Sequence, residues 1–263
     1  MLGLFKPRLP VDRDEFEWLL ACFAWYLREF DGIDGLRGSP LVLPTTDFFP
    51  RSDLQGHARA VELFDRVRDL AGMREWQCDL VAGASDANPH IATGHLLRRR
   101  TEAQPLRTFS YQHGRYLITY NPVGLADPET LVATFAHELA HYLMHTASGR
   151  PPGGGELEEH ATDLAAVFLG FGVFMANSAK NFRQFQTHEE MGWEMRAAGY
   201  LSELARITGL AIFVRLKGAD AGAAERALKD YLRGPFRKAL AAIDRECPDL
   251  AATIAAVDLA EWR

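Results

Sequence analysis

Pro128-Glu-Thr-Leu-Val-Ala-Thr-Phe-Ala-His-Glu-Leu-Ala-His-Tyr-Leu-Met-His145 is the stretch whose reading decides what kind of molecule this chain makes. It opens with helix-start chemistry: Asp127 as the cap, Pro128 in the first turn, and Glu129 near the positive end of the helix dipole. Leu131, Val132, Phe135, Ala136, Leu139, Ala140, Leu143 and Met144 then recur at helical spacing and form an apolar stripe. His137 and His141 fall beside that stripe, four residues apart, so both imidazoles leave one face of the helix and can point at one site. Glu138 lies about 100° around the axis from His137, within reach of a water held there without being a ligand itself. Two neutral imidazoles suit Zn²⁺, whose catalytic sites keep one position for water. A chance H-E-x-x-H is expected in about 2% of random orderings of this composition, so the flanking helix signals matter as much as the motif.

The chain supplies carboxylates for a third ligand soon afterwards. Ser148-Gly-Arg-Pro-Pro-Gly-Gly-Gly155 cannot continue a helix and reads as a connection. Glu156-Leu-Glu-Glu-His-Ala-Thr-Asp-Leu-Ala-Ala-Val-Phe-Leu-Gly170 follows as a second helix with an acidic first turn. Glu159 and Asp163 share a face on it. That arrangement lets one carboxylate ligate zinc while the next receives the remaining N–H of a ligand histidine and sets its tautomer. Glu156, Glu158 and His160 are the alternatives to Glu159. His145, one turn beyond His141, is rotated by about 40° and reads as a solvated or capping residue.

His137-Glu138-x-x-His141 followed by Glu159-x-x-x-Asp163 resembles the gluzincin metallopeptidases, including minimal forms built on two helices and a small sheet. It is also similar to bacterial H-E-x-x-H proteins that cleave or inactivate repressors. The resemblance covers roughly residues 105–176, and one departure from many relatives is His160 directly after Glu159. The rest of the chain, including Leu43-Pro-Thr-Thr-Asp-Phe-Phe-Pro50, resembles a bacterial family known without an assigned activity. The resemblance implies a zincin-like core with zinc held by His137, His141 and Glu159, Glu138 as general base, and Asp163 behind a ligand histidine. It also implies a peptide or protein substrate. The other reading is a metal-binding regulatory or interaction module whose hydrolytic activity is vestigial or absent.

Composition sets wider bounds. With 263 residues, 48% hydrophobic and 24% charged, the chain can bury a sizeable core in ordinary globular fashion. A net charge of −6 provides no basic footprint for nucleic acid, and Arg98-Arg99-Arg100 reads as a solvated loop. Cys22, Cys78 and Cys247 are odd in number and widely spaced, as in a cytoplasmic protein with reduced thiols. The first residues show no secretory pattern, and Leu164–Met175 is too short to span a bilayer, so it reads as a buried core helix with no membrane role.

The fold class expected is α+β, mostly helical with a small antiparallel sheet. Helices are read over 12–30, 54–71, 189–208, 221–232 and 236–247, with 209–217 undecided between helix and strand. Strands are read over 75–81, 108–112 and 115–120, the last two joined at His113-Gly114 as a hairpin, with a loop over 83–94. Residues 1–176 form the zincin-like unit and 177–263 a helical extension packed on the same core. The gluzincin resemblance also implies that the strand just ahead of the motif helix, Tyr116–Tyr120, is the candidate for pairing extended substrate by edge addition. His113, Tyr116, His188 and Tyr200 have the chemistry to stabilise an oxyanion, and none is assigned that role.

Overall fold

The computed structural model describes residues 8–83, 109–112, 115–179 and 201–262. Helix α1, Arg13–Glu29, begins where the Asp12 carboxylate accepts the Glu15 N–H at 2.8 Å. Phe16, Trp18, Leu19, Phe23, Trp25 and Tyr26 are all buried, more than the single stripe of an amphipathic helix. Elements from later in the chain cover its several sides, which its own periodicity does not reveal. Helix α2, Gly32–Gly38, is short, and α3, Gly56–Leu70, buries Ala60, Leu63, Phe64 and Val67 on one face.

The sheet contains β1, Cys78–Ala82, β2, Phe109–Gln112, and β3, Arg115–Tyr120, in the order β1-β3-β2. β2 and β3 pair antiparallel, from Phe109↔Ile118 to Gln112↔Arg115. β1 runs parallel to β3, from Cys78↔Tyr116 to Ala82↔Tyr120. The expectation of an antiparallel sheet is therefore corrected: the sheet is mixed, because β1 enters from the same end as β3 and needs a crossover between them. A second correction follows. β3 pairs with β1 along Tyr116–Tyr120 and with β2 over Arg115–Ile118, so Tyr116–Ile118 has no edge to offer a substrate.

Helix α4, Pro128–His145, has the extent its flanking signals imply, and Asp127 caps it by accepting the Thr130 N–H and hydroxyl at 3.2 and 2.6 Å. One side packs on the sheet and α3: Phe135 meets Phe64 and Tyr120 edge-on, and Tyr142 meets Tyr116. Helix α5, Glu158–Ala166, follows the glycine-proline connection and passes through a π turn, Val167–Phe171, into α6, Gly172–Asn177. Gly170 makes that passage possible with φ +99°. A Cβ there would lie 2.1 Å from the Pro40 carbonyl oxygen, and the Gly170 carbonyl accepts the Val42 N–H at 3.0 Å. Glu158–Asn177 is long and apolar enough to cross a membrane by length and composition, and 89% of its apolar window is buried within the fold.

Helix α7, Glu203–Lys217, settles the undecided stretch 209–217 as helix. Its residues Ala205–Val214 are all buried, because the helix lies against α1, α5 and α6 and so joins residues on both sides of position 177 in one core. Helices α8, Ala221–Ala227, α9, Asp230–Glu246, and α10, Leu250–Ala255, complete the chain. The break expected between 232 and 236 falls instead at Leu228 and Lys229, and Pro235 lies inside α9. A tertiary contact places it: Asn177 takes the Lys229 N–H on its side chain at 3.0 Å and the ammonium on its carbonyl at 2.7 Å. The loop expected after Gly83, the hairpin tip at His113-Gly114, Arg98–Arg100, and residues 189–200 lie outside the described residues.

Candidate metal centre

Phe135 and Tyr142 of α4 face the sheet, and a helical rotation of about 200° from Phe135 carries His137 to the opposite side. That side faces α5, and there the donors converge. His137 Nε2 and His141 Nε2 are 3.1 Å apart, and Glu159 Oε2 lies 3.4 Å from His141 Nε2 and 3.7 Å from His137 Nε2. Among the described residues, His137, His141 and Glu159 form a group that could hold a metal ion. Their exposure is graded: the side chains of His137, His141 and Glu159 are 5%, 23% and 48% accessible. The group therefore sits at the rim of the core, open to solvent on the Glu159 side. Glu138, the residue expected to act as base, is buried at 2% exposure on the sheet side of the histidines.

Behind the imidazoles the geometry is tighter. Asp163 Oδ1 lies 3.0 Å from His137 Nδ1, and Asp163 itself is 1% exposed. Burial alone would raise the Asp163 carboxyl, but the Arg206 charge and the bond with His137 outweigh it and hold it well below the usual carboxylate range. An ionised carboxylate only accepts, so His137 donates through Nδ1 and its Nε2 is the nitrogen turned to the cluster. Burial opposes protonation of His137, yet Asp163, Glu138 and Glu159 together hold its pKa up at about 9. Partial enclosure would raise the Glu159 carboxyl, but His141 and His137 pull it down to about 2. With no cation bound, the carboxylates thus favour the protonated His137 imidazole.

The alternative ligands lie elsewhere. Glu156 ends a short 3-10 turn and Glu158 begins α5, both exposed and outside the group. His160 is turned edge-on to Trp18 at 6.5 Å, its Nδ1 buried without a hydrogen-bond partner among the described residues. Burial pushes its imidazole down from the ordinary value. His145 is exposed against the Tyr116 ring. Among the oxyanion candidates, Tyr116 packs on Tyr142, while His113, His188 and Tyr200 lie outside the described residues.

Sequence reading missed the far side of Asp163. Its Oδ2 accepts the Leu201 N–H at 2.9 Å and an Arg206 guanidinium N–H at 2.6 Å, and a second Arg206 nitrogen donates to the Met175 carbonyl at 3.1 Å. The available signal was an arginine inside Leu204-Ala-Arg-Ile-Thr-Gly-Leu-Ala-Ile-Phe-Val214, a stretch otherwise almost free of charge. Read as part of a helix ending at 208, it was given no role. Comparison with protein-family models, with curated proteins and with solved structures finds no match to this chain.

Proposed function

We propose that this chain is a zinc-dependent metallopeptidase with a zincin-like core of gluzincin type, hydrolysing peptide bonds in a peptide or protein. The observation that carries this reading is the spacing of the donors. Ligands about 2.0–2.1 Å from a tetrahedral zinc stand about 3.3 Å from one another. The three donor separations here are 3.1, 3.4 and 3.7 Å. His137, His141 and Glu159 would hold the ion, leaving the solvent side for water and substrate, as in catalytic rather than closed structural zinc sites. Bound there, zinc supplies Lewis acidity that makes water more acidic and polarises a carbonyl.

The chain's own groups do the rest. Asp163 keeps a hydrogen on His137 Nδ1, so that Nε2 is the nitrogen that would release its proton and ligate. The Glu138 carboxylate takes a proton from the attacking water and returns it to the leaving amine. With β3 enclosed, an extended substrate would pair with a sheet edge, and among the described residues β2 is an edge strand that approaches α4. Three buried, unbridged cysteines support a reducing, cytoplasmic setting.

The test uses protein purified without chelators, with metal measured by elemental analysis and cleavage measured on a broad peptide library. Close to one zinc per chain is expected, lost in His137→Ala and in His141→Ala. Glu138→Gln should retain zinc while hydrolysis falls by about 10²–10⁴. Zinc retained by both histidine variants overturns the metal centre. Zinc bound without cleavage of any peptide supports instead a regulatory or interaction module.

A further inference from the structure

We propose that Arg206 is a positioning residue for the metal centre: from α7 its guanidinium holds the Asp163 carboxylate so that one oxygen stays turned to His137 Nδ1. The inference rests on the zinc reading of His137, His141 and Glu159. Arg206 touches none of the three donors and would act through Asp163.

The first support is the division of labour at Asp163. Oδ2 takes two donors, the Arg206 guanidinium at 2.6 Å and the Leu201 N–H at 2.9 Å, and Oδ1 is left for the His137 ring at 3.0 Å. Rotation about a carboxylate's Cβ–Cγ bond is otherwise soft, with broad wells in place of three sharp ones. Donors fixed on one oxygen remove that freedom, and the imidazole bonded to the other oxygen takes its orientation from them.

The second support is how Arg206 is itself held. Its guanidinium is planar, with donors in a fixed fork. One arm reaches Asp163 on α5 and another reaches the Met175 carbonyl on α6, so contacts on two helices define the plane. The third support is energetic. Arg206 and Asp163 are each 1% exposed. A buried ion pair adds little net stability over apolar residues of similar volume, while its directional bonds restrict geometry. On a helix buried along Ala205–Val214, an apolar side chain at 206 would serve packing at least as well. The other cations of α7 differ in kind: Arg215 and Lys217, in the last turn, bond at the surface to Asp244 and to the Arg37 carbonyl.

The test compares Arg206→Met, Arg206→Lys and, as a control on the same helix, Ile212→Val. Zinc affinity is measured by chelator competition, donor geometry by the visible bands of the Co²⁺-substituted protein, and folding by thermal unfolding without metal. Arg206→Met should weaken zinc about 10-fold or more and shift the Co²⁺ bands, by analogy with groups that orient ligands. Arg206→Lys keeps the charge but cannot span both acceptors, and should give a smaller loss with shifted bands. Ile212→Val should lower the unfolding temperature with zinc affinity and bands unchanged. Parental affinity and bands in Arg206→Met overturn the proposal, and if that variant does not fold, the same result in Arg206→Lys overturns it. In either case zinc must be lost in His137→Ala; if it is not, the zinc reading itself has failed.

Discussion

Glu159 and Asp163 stand one turn apart on α5, yet one keeps 48% of its side chain in solvent and the other 1%. Glu159 faces the two imidazole nitrogens across 3.4 and 3.7 Å, whereas Asp163 accepts from His137, from Arg206 and from the backbone of Leu201. The helix descends from the rim of the core into its interior, and depth assigns the two carboxylates different work. At the rim an acid can close on a cation and leave room for water. In the core an acid with three donors is held still and can orient a neighbour. Identical spacing on a helical wheel thus hides a difference that only the surrounding elements create.

The largest expected effect is at the rim. Glu159→Ala should reduce bound zinc from stoichiometric to near zero in elemental analysis, because it removes one of three donors. The metal-free fold should lose only about 1 kcal/mol in urea unfolding, since solvent screens the pairing of this half-exposed carboxylate with the imidazoles. Stoichiometric zinc in this variant would break the contrast by moving the third ligand elsewhere.

Asp163→Ala should show the reverse balance. Zinc affinity should fall by about 10- to 100-fold, as when a group that orients a ligand is lost. The metal-free protein should lose about 3–5 kcal/mol in the same unfolding measurement, because Arg206 is left as an uncompensated buried charge. Unchanged stability would mean that the core end of α5 is no more rigid than its rim.

His160→Ala sharpens the comparison from between the two acids and should have the smallest effect. The ring sits against Trp18, away from the cluster, and its buried Nδ1 has no hydrogen-bond partner among the described residues. Zinc affinity should stay within about twofold and stability within about 1 kcal/mol, since no satisfied bond of Nδ1 is lost. If this variant lost zinc, the site would be a three-histidine one and the gluzincin likeness would hold for the motif helix alone.

Legibility from sequence followed the range of the interactions involved. Capping by Asp127 and Pro128, the i,i+4 histidines, and the shared face of Glu159 and Asp163 each depend on neighbours within one or two turns, and each was readable. The β2–β3 antiparallel pair was readable for the same reason. The parallel partner β1, separated from β3 by a crossover, was not, and the error carried through to Tyr116–Tyr120 as a substrate edge. Residues 209–217 stayed undecided because a short apolar run satisfies both periods, and burial between α1, α5 and α6 resolved it.

Residue type and spacing along the chain determined that two imidazoles share a face, that Glu138 stands beside them, and that two acids of the next helix lie in line. Backbone geometry alone enforces those relations. The tertiary structure decided which acid reaches the imidazoles, which one is buried behind them, and that an arginine 43 positions beyond Asp163 completes its surroundings. Such pairings depend on how helices dock, and docking is set by burial summed over the whole core, a quantity that no local stretch of sequence contains.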